Sequence, residues 1–227
     1  MSSGGSLRIP AGGLRIPLDG SPIPAVTVEL SLDTWDHWLS ISKEMIERAE
    51  EAHDRMIVAH KGADETARNS ALEEEFRAAM MSISAQAFAV DALYASVKER
   101  IPVHSGTQQG ESKAPRYARI SDTFRRGCKL KNEQVGQIRT CLKELFKYRD
   151  WAVHPPADFR QAYLHDDLGL GVEWRFIAFS TRNARPLFDM TVKLLGLILN
   201  TARSELSELH QWADSGKVRL ASITSLD

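Results

Sequence analysis

Arg149, Asp150 and His154 stand within six positions of each other and are the residues of this chain best suited to chemistry. An imidazole titrates near neutral pH and can both accept and donate a proton. A guanidinium keeps its charge and presents a fork of donors that matches phosphate oxygens. A neighbouring carboxylate can hold either group in orientation. Together these groups could cleave RNA without a metal ion, because the 2′-oxygen of RNA can attack the adjacent phosphate once its proton is removed.

The residues before this motif predict the helix that must position it. Apolar side chains recur there at helical spacing and define one face of the helix: Val135, Ile138, Leu142, Leu145, Phe146 and Val153. Arg149 falls inside that apolar face, where an unpaired charge is costly, so we expect it to have a partner. Pro155 disfavours the helical conformation for His154, which predicts that the helix from Asn132 ends at Val153.

The segment from Lys113 to Arg149 is strongly basic, with eleven Lys or Arg residues against three acids, and it carries interleaved aromatic residues. Such a pattern favours binding of a polyanion, with aromatic rings stacking on unpaired bases. We therefore predict that RNA contacts the following residues: Arg116, Tyr117, Arg119, Arg125, Arg126, Lys129, Lys131, Lys147 and Tyr148.

Structural interpretations of the same residues remain open. Arg149 could pair with a buried carboxylate such as Asp91, or cap carbonyl groups at the end of its helix. His154 could be a helix-terminal histidine that the helix dipole favours. The basic segment could pair with the acidic segment from Glu29 to Glu75, which has thirteen acids against five bases, within one chain or across a dimer.

The bulk composition is that of a soluble globular protein: 227 residues, 43% hydrophobic and 26% charged, with a formal net charge of −1. Any affinity for nucleic acid must therefore come from a local patch. No charged segment followed by an apolar core indicates a secretory signal. The longest apolar run, around residues 187–199, is too short to span a bilayer. We expect a cytoplasmic protein without membrane contact.

Few residues could hold a metal ion or form a disulfide. His53 and His60 lie seven positions apart and could contact a metal from one helical face, but no cysteine or third histidine completes the set. Cys128 and Cys141 suit a reducing compartment, and a disulfide between them is the alternative. We predict neither a metal site nor a cofactor.

The remaining patterns predict a mainly α fold with one domain. Residues 1–32 are expected to form an irregular arm, because proline follows both copies of Leu-Arg-Ile, with one strand over 25–32. Helices are predicted over 33–60, 64–100, 117–128, 132–153 and 184–214, with Asn183 as the last N-cap and with Gly62 and Gly216 as stops. A β-hairpin is predicted at about 159–179 and a tail at 217–227. The fold is thus a four- to five-helix bundle over 33–216 with a small β-hairpin insertion.

The motif Arg149-Asp150-x-x-x-His154 at a helix end resembles the Arg-polar-x-x-x-His motif of the HEPN superfamily. The second predicted helix also resembles the second helix of that superfamily, over residues 71–76 (ALEEEF) and 87–93 (AFAVDAL). The resemblance covers about residues 65–215 in helix order. It implies an all-α bundle of HEPN type.

Many HEPN proteins are metal-independent ribonucleases of toxin–antitoxin, abortive-infection and other defence systems, and they commonly dimerise with their motifs facing each other. The resemblance therefore implies that Arg149 and His154 are catalytic and that Asp150 orients them. It also implies a homodimer that acts on RNA, with a protein antitoxin or regulator as a further partner.

One position departs from the pattern of many ribonuclease members, which place a Tyr two residues after the His, where Pro156 stands in this chain. The first alternative is therefore a non-catalytic HEPN-like module that binds RNA, a nucleotide or a protein partner. The second is a structural bundle in which Arg149 forms a core ion pair.

Overall fold

Helices dominate the fold, as the apolar periodicity predicts. The computed structural model describes residues 5–8, 29–102, 114–154 and 161–225. Within these residues seven helices occur: α1 (Trp35–Lys61), α2 (Glu65–Glu99), α3 (Arg116–Gly127), α4 (Asn132–Val153), α5 (Trp174–Ala178), α6 (Thr181–Thr201) and α7 (Ser207–Thr224). Four strands form two antiparallel pairs: β1 (Gly5–Arg8) with β2 (Glu29–Leu32), and β3 (Ala162–His165) with β4 (Leu170–Glu173). A mainly helical protein with a small β-hairpin is confirmed.

Helix α2 is the central element and packs against α1, α3, α4, α5 and α6. Asp64 caps its N-terminus by accepting a hydrogen bond from the Ala67 backbone N–H over 3.0 Å. Small residues let α1 approach closely, so that the hydroxyls of Ser42 and Ser82 lie 2.9 Å apart across the seam. By length and composition alone α2 could span a membrane, a test that buried core helices also pass, and 56% of its apolar window is buried within the protein.

The C-terminal part of the chain forms two helices, so the prediction of one helix over 184–214 is wrong. Residues between α6 and α7 pair with the end of α3 instead: the Lys129 N–H donates to Thr201 O over 2.7 Å, and the Arg203 N–H donates to Gly127 O over 3.0 Å. These tertiary hydrogen bonds interrupt the helix although the apolar periodicity continues through the break.

Gly216 lies inside α7, so the predicted stop at this residue and the predicted tail over 217–227 are wrong at least up to Thr224. Its role is close packing, because a Cβ atom there would lie 2.7 Å from Cδ2 of Leu199 and 3.5 Å from the Trp35 ring. A glycine at a helix interface is not distinguishable from a helix stop by sequence pattern alone.

The β-hairpin is shorter than predicted, because a short helix replaces its second half. Trp174 and Ala178 are buried four positions apart on one face of α5. Asn183, predicted as an N-cap, lies within α6, which Ser180 precedes, and it donates from Nδ2 to the carbonyl of Ile177 over 2.9 Å. Residues 159 and 160 of the predicted hairpin lie outside the described residues.

The N-terminal arm is not wholly irregular, because β1 pairs with β2 in an antiparallel register that places Gly5 opposite Leu32. The predicted strand over 25–32 is present over Glu29–Leu32, and residues 25–28 lie outside the described residues. The strand β1 ends two residues before Pro10, as expected of a residue that cannot donate to a ladder.

Candidate functional site

Arg149 lies near the end of α4 and is partly buried, with 25% of its side chain exposed. Its guanidinium lies over the Phe146 ring, with Cζ 4.8 Å from the ring centroid. Nη2 and Nε donate to Oδ1 of Asp150 over 2.7 and 3.1 Å. Nη1 lies 3.7 Å from Oδ2 of Asp91. The apolar stripe correctly places Arg149 beside the core, and the charge has partners there.

A second arginine reaches the same carboxylate from α3. Arg116 donates from Nε to Oδ1 of Asp91 over 3.0 Å, and its Nη2 lies 2.8 Å from Oδ2, which is a bidentate pair. Its Cζ lies 5.9 Å from the centroid of the Phe146 ring. Two guanidinium groups from different helices therefore meet at one carboxylate and one aromatic ring.

Asp91 connects these arginines to the central helix, and only 18% of its side chain is exposed. Burial raises the pKa of its carboxyl above the ordinary value, although Arg116 and Arg149 act in the opposite direction. The carboxylate thus depends on the two arginines for its charge. Asp91 was considered from sequence only as a structural partner of Arg149, and its tighter contact is with Arg116.

His154 ends α4, and its backbone N–H donates to the Asp150 carbonyl over 2.7 Å. The side chain is exposed, and among the described residues the imidazole has no hydrogen-bond or ion-pair partner. The Asp150 carboxylate is engaged by Arg149, so of the two orienting roles predicted for Asp150 the geometry supports the one toward the guanidinium.

Three further predicted RNA-binding residues surround this end of α3 and α4. Lys147 Nζ lies 4.9 Å from the ring centroid of Trp151 and 5.5 Å from that of Tyr148. Nζ of Lys143 lies 4.8 Å from the ring centroid of Tyr117. Lys143 was not among the residues predicted to bind RNA. Burial raises the pKa of Tyr148, so its phenol stays protonated and can donate a hydrogen bond.

Four of the other predicted RNA-binding residues lie at the opposite end of this helix pair. Helices α3 and α4 run antiparallel, since Arg139 contacts Ser121 while Lys143 contacts Tyr117. A second group, Arg125, Arg126, Lys129 and Lys131, therefore lies roughly 15 Å along α3 from Arg116. Part of this group is neutralised, because Lys129 lies 3.3 Å from Glu205. Arg119 lies between the two groups, half-buried.

No family model, curated protein or solved structure matches this chain. Across the parts of the chain that the structure describes, no group of three or more His, Cys, Asp or Glu side chains is placed to hold a metal ion. His53, one of the two histidines considered as ligands, bonds through Nδ1 to Oε2 of Glu75 over 3.1 Å.

Proposed function

We propose that this protein is a metal-independent endoribonuclease of HEPN type that cleaves single-stranded RNA in a toxin or phage-defence role. The observation that carries the proposal is the convergence of Arg116 and Arg149 on Asp91, beside the helix end where His154 is exposed. It places two fixed guanidiniums and an exposed imidazole at one end of the bundle.

The two guanidiniums supply the electrostatic part of the reaction. Asp91 occupies Nε and Nη2 of Arg116, and Asp150 occupies Nε and Nη2 of Arg149, which leaves other N–H donors of both groups for phosphate oxygens. Because carboxylates and the Phe146 ring already hold the guanidiniums, little reorganisation is needed when charge builds on the phosphorane.

His154 supplies the proton transfer. An imidazole removes the 2′-hydroxyl proton, the O2′–P bond forms and the P–O5′ bond breaks, and the departing 5′-oxygen takes up a proton. The products are a 2′,3′-cyclic phosphate and a 5′-hydroxyl. A single imidazole cannot act as base and acid at once, and a homodimer with facing motifs would supply a second His154.

The test is cleavage of end-labelled single-stranded RNA in EDTA by the full chain. We expect a 2′,3′-cyclic phosphate product, and we expect His154→Ala and Arg149→Ala each to reduce the rate by about 100-fold or more. His37→Ala and Arg77→Ala are matched controls, because both residues are exposed and lie outside this cluster. Intact RNA, or equal cleavage by His154→Ala, contradicts the proposal. Light scattering measures the molar mass in solution and so tests whether the protein is a dimer.

The second candidate is a non-catalytic module that binds RNA, a nucleotide or a protein partner through the same arginines. One observation favours it: among the described residues nothing orients the imidazole of His154, since Asp150 contacts Arg149 instead. RNA binding that Arg149→Ala weakens, without any turnover by wild-type dimer, would support this candidate over the enzyme.

A further inference from the structure

A cavity of about 300 Å³ lies on another part of the protein, between the β3–β4 hairpin and four helices, α1, α2, α5 and α6. His53 of α1, Glu75 of α2 and Thr181 of α6 contribute to its wall, and His165 and Asp167 border it from the hairpin. Its volume is at the lower end of the range for small-molecule sites. None of the residues around Arg149 lines it.

Glu75 fixes the geometry of the wall, although its side chain is almost wholly buried. Oε1 accepts hydrogen bonds from the backbone N–H and from the hydroxyl of Thr181, both over 3.0 Å. Oε2 lies 3.1 Å from Nδ1 of His53. Because a carboxylate only accepts, Nδ1 carries the hydrogen, and Nε2 of neutral His53 presents a lone pair.

In the neutral ring this lone pair lies near a second acceptor. Nε2 of His53 lies 3.9 Å from Oδ2 of Asp167, which is beyond hydrogen-bonding distance. A single ammonium nitrogen placed about 2.9 Å from each atom can donate to both, since it has three N–H groups. The gap between the two acceptors therefore fits one primary ammonium group.

His165 is a second polar side chain at this cavity, and it is nearly fully buried. It lines the cavity with 5% of its surface exposed, and Nδ1 has no hydrogen-bond partner within the described residues. Unpartnered buried nitrogens are rare, because each forfeits its hydrogen bonds to water. Burial lowers the pKa of His165, so the ring adds no positive charge.

The negative charge of the residues that line the cavity favours a cationic ligand. Arg182 pairs with Asp166 at the rim, which leaves the carboxylates of Glu75 and Asp167 in excess even when His53 is protonated. Phe176 provides an aromatic wall, whose face attracts cations. A divalent metal is a poorer fit, because no three ligating side chains in the described residues are grouped for it.

We propose that this cavity binds a small organic molecule with a primary ammonium group, held between His53 and Asp167 with its carbon skeleton against Phe176. The site is independent of the arginine cluster and of RNA cleavage. Its ligand is defined by one charged nitrogen and a compact apolar body.

The test uses benzylammonium as the probe, with benzyl alcohol and phenylacetate as neutral and anionic analogues of similar size. Histidine ring resonances of the full chain are followed by NMR during titration at neutral pH. We expect saturable shifts of the His53 and His165 rings with benzylammonium alone, while His37 and His210 stay unmoved.

Asp167→Asn should weaken benzylammonium binding about tenfold, the loss expected of one charge-assisted hydrogen bond. This residue lies in an exposed turn, so the variant keeps its fold. Asp214→Asn, an exposed substitution on α7, is the matched control and should bind as wild type. Equal binding of benzyl alcohol or phenylacetate, no shift with benzylammonium, or full affinity in Asp167→Asn would each overturn the proposal.

Discussion

The indole N–H of Trp212 donates a hydrogen bond of 2.7 Å to Asp33, which fastens α7 to the residues that precede α1. The same carboxylate accepts the hydroxyl of Ser96 over 2.7 Å and Nη2 of Arg219 over 3.1 Å. Only 13% of the Asp33 side chain is exposed. One partly buried charge therefore joins α2 and α7 to the segment that precedes α1.

Replacing Asp33 with Asn should lower the free energy of unfolding by about 2 kcal/mol, because it weakens three charge-assisted hydrogen bonds and leaves Asp36, 3.4 Å from Nε of Arg219, as the remaining counter-charge. Urea denaturation of wild type and variant measures this difference. Asp214→Asn, an exposed carboxylate on α7, is the control and should leave the midpoint unchanged. A midpoint for Asp33→Asn equal to that of the control would contradict the proposed anchoring.

The carboxyl group of Asp33 should also make the stability of the protein depend on pH. Burial alone would raise the pKa of Asp33, but hydrogen bonds from Ser96, Trp212 and Arg219 and the charge of Arg100 lower it below the ordinary value. A lowered pKa stabilises the folded state above the unfolded pKa, and this stabilisation is lost as the pH falls through the folded pKa. Between about pH 5 and pH 2, wild type should therefore lose more stability than Asp33→Asn. If the free energy of unfolding falls equally with pH in wild type and in Asp33→Asn, Asp33 does not contribute to this pH dependence.

Two glycines give a matched pair of substitutions. Gly216→Ala should destabilise the protein by about 1–3 kcal/mol, because its Cβ would lie 2.7 Å from Leu199. Gly136→Ala should stabilise it by about 0.5–1 kcal/mol, because within the described residues no atom beyond its own helical turn lies within 4 Å of its Cβ position, and alanine favours the helix. Thermal unfolding of both variants tests the pair, and a stabilising Gly216→Ala would contradict the close packing of α6 and α7.

Both cysteines should be inert in the folded protein. Cys128 and Cys141 are free and buried, so the disulfide considered from sequence is not present. Burial raises the pKa of the Cys128 thiol to about 11 and that of Cys141 to about 12. Only thiolates react with disulfide reagents, so native protein at pH 8 should label far more slowly than urea-unfolded protein. Fast stoichiometric labelling of native protein would contradict this burial.

RNA binding should depend more on the arginine cluster than on remote charges. Arg116→Ala should weaken binding and reduce the slope of log K against log salt by about 0.7, the amount expected for one phosphate contact with a single strand. Arg77→Ala removes an exposed arginine of α2 that lies fourteen positions before Asp91, and it should leave the slope unchanged. If wild type and Arg116→Ala have equal slopes, Arg116 does not contact a phosphate of the RNA.

The sequence predicted the first four long helices closely because their signals are local. Asp64 and Gly62 separate α1 from α2, and the residue before a proline ends α4. The division of the last helix was not predictable in this way. It depends on hydrogen bonds between residues 201–203 and the end of α3, which lies about 75 positions earlier in the chain.

The candidate site was predicted only in part, because some of its contacts depend on how distant segments pack together. The apolar stripe indicated that Arg149 needs a partner, but the bidentate pair of Arg116 with Asp91 depends on how α3 packs on α2. The contact of His53 with Glu75 did have a signal: the tight connection near residue 63 brings residues at similar distances from it on α1 and α2 close together. The sequence analysis predicted the two helices but not this register between them.

The contacts of Asp33 with α7 also bring the two ends of the helical unit together. Arg219 touches Asp33, Thr224 follows five residues later, and Lys43 donates to the carbonyl of Ile223 over 3.2 Å. A short linker could therefore join Thr224 to Asp33, and new ends could be opened at Ala63 without cutting a helix. The start of α1 and the end of α7 therefore lie near each other, which makes the helical unit suitable for circular permutation.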